Sequence, residues 1–155
     1  MKNNLKEIKN KEYTLIFYDI PPSEIRGNSR TIDPIKRRVN RERRDVAMSI
    51  GLEAKGMNDP IERVEVSYYF HHIREIDLDN LIIGMKSTMD GIIDSQIITD
   101  DKPSLMEYGK IKFIKLDMCP QCDRENAYME DTHKNPKYCL KKRKDIKTIV
   151  NLKEI

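Results

Sequence analysis

Residues 62–70, ERVEVSYYF, place Val64, Val66, Tyr68 and Phe70 at every second position. A period of two fits a strand with one buried face and does not fit a helix, so the chain has to build a sheet around this segment. A second extended run, YTLIFYDI at residues 13–20, puts Tyr13, Leu15 and Phe17 on one side and Thr14, Ile16 and Tyr18 on the other. Pro21-Pro22 stops it, because neither residue can donate to a ladder. A third run, KIKFIKL at residues 110–116, completes the strands read from the sequence.

Helical spacing lies between the strands. Asp33-Pro34 reads as an N-cap followed by a proline in the first turn, Ile35, Val39, Val46 and Ile50 form an apolar stripe, and Gly51 reads as the stop. The other faces carry Lys36, Arg37, Arg38, Arg41, Arg43 and Arg44. A solvated charged face is the plain reading, and the surplus of arginine over lysine suits phosphate. A second helix is expected over residues 80–93, with Leu81, Met85, Met89 and Ile92 turned inward. Residues 23–32 form a polar loop holding Arg26, Asn28 and Arg30. The order strand, helix, strand, helix, strand gives an α/β (α+β) fold, a small mixed sheet packed by two main helices.

The chain has 155 residues, the size of one domain, and with 38% hydrophobic residues and no tryptophan its core must be built mainly of Ile, Leu, Val and Met. A net charge of +3 permits an anionic partner. No secretory segment or membrane-length apolar run is present, so the expectation is a soluble, cytoplasmic protein with no membrane partner.

The chemistry concentrates in residues 74–101. Asp77 and Asp79 are expected at the end of an extended segment, where side chains two apart share a side. Lys86 and Asp90 follow on the helix, and Asp100-Asp101 stand in the loop beyond it. Clustered carboxylates with no His or Cys among them suit Mg²⁺ or Mn²⁺, which could activate water and stabilise the leaving oxygen of a phosphodiester. Aspartates capping a helix and a turn are the alternative reading.

The series Asp77-Leu78-Asp79-Asn80-Leu81, Lys86, Asp90-Gly91 and Asp100-Asp101 resembles the signature of the RusA family of Holliday junction resolvases. Pro21-Pro22-Ser23 is similar to the family's early Pro-Pro-Ser loop, and His71-His72-Ile73-Arg74 stands in its basic approach to Asp-x-Asp. The resemblance covers residues 13–116. It implies a Mg²⁺-dependent endodeoxyribonuclease, a hydrolase of DNA recombination and repair, that acts as a homodimer on four-way DNA junctions by symmetric nicks. It further implies Asp77, Asp79 and Asp101 as metal-binding catalytic carboxylates, Asp100 as an accessory ligand and Lys86 as the active-site lysine. Lys86 stands about one helical turn further from Asp79 than in the family's best-known member. Arg74, Arg37, Arg41 and Arg44 are the expected DNA contacts. A non-cleaving nucleic-acid or protein-binding module is the competing expectation.

Cys119, Cys122, His133 and Cys139 are spaced C-x2-C-x10-H-x5-C, and all three cysteines of the chain fall there. An odd count argues against a disulfide framework. Four such ligands could hold a structural zinc, and free thiols are the alternative. The domain reading is a frayed start at 1–12, a nuclease-like domain at 13–117 and a Cys-containing basic extension at 118–155.

Overall fold

The computed structural model describes residues 9–117 and 145–155. It is a mixed α+β fold with a four-stranded sheet and helices on one face. The strands are β1 (Glu12–Phe17), β2 (Val64–His72), β3 (Met106–Lys115) and β4 (Lys147–Glu154), in the order β1-β4-β2-β3. β4 runs antiparallel to both neighbours, whereas β2 and β3 are parallel. The helices are α1 (Asp33–Lys55), α2 (Leu78–Gly84) and α3 (Lys86–Asp94), and Ser23–Ile25 form one 3-10 turn.

The alternation of residues 64–70 is observed as read: Val64, Val66, Tyr68 and Phe70 are buried to 1% exposure or less. Leu15 and Phe17 join them from β1. In β3 an extra residue stands opposite Ser67, and register resumes with Tyr68 against Ile111. The Lys110 N–H donates to the Ser67 hydroxyl at 3.0 Å there, a bulge held by a side chain.

The C-terminal boundary is corrected. Residues 147–154 are not an appendage but an inner strand, because Thr148, Val150 and Leu152 alternate inward and are fully buried. The N-terminal boundary moves too. Lys11 exchanges hydrogen bonds with Glu154, its N–H donating to the side chain at 2.8 Å and its carbonyl accepting from the Glu154 N–H at 2.8 Å.

The first helix differs from its sequence reading in three ways. Ile32, not Asp33, is the N-cap residue, and the helix continues through Gly51 to Lys55. Gly56, with φ of +56°, is the stop, a conformation glycine adopts without the Cβ penalty. Finally, the buried stripe is Arg43, Ala47 and Gly51, while Val46 remains 53% exposed. Small residues won because α3 comes unusually close. A Cβ at Gly91 would meet the Arg44 carbonyl and stand 2.7 Å from the Ala47 Cβ. Arg43 follows the same stripe inward and donates to Asp19 at 2.8 Å.

The second expected helix is two. The chain breaks step at Met85, which ends α2 and caps α3. Leu81, Met85, Met89 and Ile92 all remain buried, so the apolar stripe continues across the break.

Two outcomes follow from this packing. Gly91→Ala should destabilise the fold by about 1–3 kcal/mol, because the new methyl group meets backbone that cannot swing away; a urea titration measures it. Removing residues 145–155 should abolish cooperative thermal unfolding, since β1 would lose its one partner strand and β2 one of its two.

Candidate functional site

β2 delivers the chain to the site, and the α2-α3 crossover returns it to β3. Asp77 is the N-cap residue of α2, with no side-chain capping bond, and Asp79 lies in the first helical turn. The expected extended arrangement of the two is therefore corrected: Leu78 is already helical, and a helical step of about 100° per residue replaces the two-residue repeat. Both aspartates are exposed, and the Asp79 carboxylate accepts from the neighbouring Asn80 N–H at 3.0 Å.

Lys86 opens α3 and bridges two carboxylates. Its Nζ lies 3.0 Å from Asp90 and 3.2 Å from Asp101. Those hydrogen bonds, Asp90 first and Asp101 second, raise its pKa above the ordinary lysine value. Asp100 turns the other way, accepting from the Asp101 N–H at 2.8 Å and from Lys102 at 3.2 Å. The backbone bond, followed by the lysine, lowers its pKa. The structure thus brings Lys86, Asp90 and Asp101 into contact. No ion pair joins Asp77 or Asp79 to them, and among the described residues no three His, Cys, Asp or Glu side chains are grouped closely enough to hold a metal ion.

Beneath the loop, Tyr68 is a buried member of the core whose ring meets Tyr108 edge-on at a centroid distance of 5.7 Å. Burial, Tyr108 and the nearby Asp101 carboxylate push its phenol well above the ordinary tyrosine value, so it stays a neutral hydroxyl. Sequence reading treated Tyr68 only as a core residue, and nothing in a period of two distinguishes it from Val66.

The basic residues divide. Arg37 and Arg41 are exposed on α1, and Arg74 is exposed just after β2. Arg44 is engaged instead with Asp94 of α3 through both Nε and Nη2, the latter at 2.9 Å. That two-pronged pair fixes one helix on the other and removes Arg44 from the free cations expected to meet DNA. His72 Nδ1 lies 3.0 Å from the Arg74 backbone nitrogen and 3.1 Å from its carbonyl oxygen, a strand-end role. Cys119, Cys122, His133 and Cys139 lie outside the described residues.

A cavity of about 770 Å³ lies between the end of β1 and α1, lined by Phe17, Asp19, Val39, Arg43, Val46 and Ile50 among others. It contains none of the acidic candidates. No helix among the described residues is long and apolar enough to cross a membrane. No family model matches the chain, and no curated protein matches it significantly.

The Arg44 pair has a pH signature. Its hydrogen bond, above all, lowers the Asp94 pKa below 3.8. The stability it contributes is therefore complete above the unfolded-state value and lost as pH falls through the lower folded value. The stability difference between wild type and Asp94→Asn, followed by denaturant titration, should be constant near neutrality and shrink below about pH 4.

Proposed function

We propose that the chain is a Mg²⁺- or Mn²⁺-dependent structure-specific endodeoxyribonuclease of the RusA kind, resolving four-way DNA junctions by paired nicks. The observation that carries this reading is the contact of Lys86 with Asp101 at 3.2 Å, across fifteen residues of sequence. The resemblance assigns both residues to one active site, and they touch.

The donor chemistry fits a hard divalent ion. Asp77 and Asp79 have no cationic partner among the described residues, and Asp101 is balanced by a lysine whose side chain is 68% exposed. Asp77, Asp79 and Asp101 are the residues that would hold the ion, with Asp100 accessory to them. Drawing these carboxylates together needs positive charge between them, since like charges at short range oppose one another. When bound, such an ion supplies an activated water and stabilises the leaving oxygen.

The rest is work for the chain's own side chains. Lys86, with its raised pKa, stays an ammonium through neutral pH and can offset charge developing on the phosphoryl group. Arg74 approaches the same place from β2, while Arg37 and Arg41 offer phosphate contacts along α1. A four-way junction has approximate twofold symmetry, so a C₂ homodimer would present one site to each of two opposed strands.

One observation favours the competing reading of a non-cleaving binding module: the second acidic pair is already neutralised by Lys86 and Lys102. The two readings part in a nicking assay on a synthetic four-way junction with Mg²⁺. Wild type should nick opposed strands, and Asp79→Asn and Asp101→Asn should each slow nicking by at least about a hundredfold while keeping junction binding. Binding without metal-dependent nicking by the wild type would establish the module instead.

A further inference from the structure

The loop after β1 is fastened to α2. Pro21 and Ile25 are buried, and the Gly27 N–H donates to the Asn80 carbonyl at 3.4 Å. Gly84 faces the loop so closely that an added Cβ would stand 2.6 Å from the Pro21 Cβ. Arg26 lies in this seam, its Cγ 3.7 Å from the same point.

The guanidinium is oriented before any ligand arrives. Its Nε–H donates to the Pro21 carbonyl at 2.7 Å. That bond, with the stem packed in the seam, fixes the plane of the fork. Among the described residues the two terminal nitrogens have no hydrogen-bond partner. An arginine held in this way loses little rotamer freedom when it binds a tetrahedral anion.

Burial lowers the Arg26 pKa and the Glu24 carboxylate, the one acidic charge felt there, opposes that shift; the other charged neighbour on this side is basic. His72 lies close enough to both Arg26 and Arg74 that, after burial, their charges lower its pKa. The imidazole therefore stays neutral near pH 7 and adds no third positive charge. Its Nδ1 lies within hydrogen-bond distance of the Arg74 backbone, which ties the ring to the residue after β2. Two guanidinium groups and one neutral imidazole thus stand together where β2 gives way to α2, the helix that Asp77 caps and Asp79 opens. A strand brought to those carboxylates carries negative charge towards negative charge, and a fixed cation beside them offsets that repulsion.

We propose that Arg26, fixed by the Pro21 carbonyl, is a positioning residue that grips a backbone phosphate of the DNA strand presented to Asp77, Asp79 and Asp101, with Arg74 beside it. This rests on the nuclease reading above. It adds the loop of residues 21–27 as a clamp, a role the charge pattern of the sequence did not single out.

The test is binding of a fluorescently labelled four-way DNA junction to the full chain in EDTA across a KCl series, with nicking in Mg²⁺ measured separately. Arg26→Gln should weaken binding about tenfold and reduce the slope of log Kd against log [KCl] by about one, the signature of one lost phosphate contact. Arg26→Lys, which keeps the charge, should retain the wild-type slope. Thermal unfolding within about 2 °C of wild type for either variant separates lost contact from lost fold. Arg26→Gln with the wild-type slope and affinity overturns the proposal, as does failure of the wild type to bind the junction. Absence of nicking by a wild type whose slope responds to Arg26→Gln overturns the nuclease reading alone.

Discussion

The insertion of β4 between β1 and β2 is the constraint on which the rest of the structure depends. Without it the two strands that carry most of the core have no hydrogen-bonded neighbour in common, and the helices have no continuous surface to cover. β4 supplies a partner on both edges, pairing Tyr13 with Leu152 on one side and Val66 with the same residue on the other. It is a costly arrangement to reach, because the first and last parts of the chain must meet before either is stabilised. Once formed, it fixes β2, and β2 fixes where the chain turns into α2. The acidic candidates inherit their positions from that sequence of placements.

The second constraint is the closeness of α1 and α3. A helix pair with glycine and alanine at the contact approaches further than one with leucine or valine, and here the approach leaves space for a buried arginine and a two-pronged pair at its edges. Arg43 reaches Asp19 at the end of β1, while Arg44 holds Asp94. Asp19 also ties the sheet, since its carbonyl accepts from the Thr148 hydroxyl at 2.8 Å. Two arginines of a basic helix are therefore structural, and the charge available to a partner is correspondingly reduced to Arg37, Arg38, Arg41 and their exposed neighbours.

Much of this was legible in the sequence where a single physical rule governs a segment. The alternation of residues 64–70 specified a buried strand face, and the stripe of Leu81, Met85, Met89 and Ile92 was buried despite the break at Met85. On α1 hydrophobicity and proximity compete: Ile50 packs against the core as its place in the apolar stripe anticipates, yet Val46 stays exposed because Gly51 and Ala47 permit the closer contact. β4 carries its own period of two in Thr148, Val150 and Leu152, but it follows the basic run at residues 141–144, where charge density masks the short apolar alternation. At the site, Lys86 was legible as a helix residue and Asp101 as a residue of the loop beyond it, whereas their contact depends on how that loop folds back. The positions of Arg26 and Tyr68 were not legible, because each depends on a surface supplied by a distant segment.

Charge compensation connects these observations. The chain carries 29 basic and 26 acidic residues, so the net charge is small and what matters is which cations are already committed. Arg43, Arg44, Lys86 and Lys102 each have an acidic partner at hydrogen-bond distance. Arg26 differs in being fixed by a neutral carbonyl, which orients a guanidinium without cancelling its charge. An ion pair in the same place would hold the side chain equally well but present a polyanion with no net attraction. A carbonyl tether keeps the orientation and leaves the guanidinium charge uncancelled by the group that holds it.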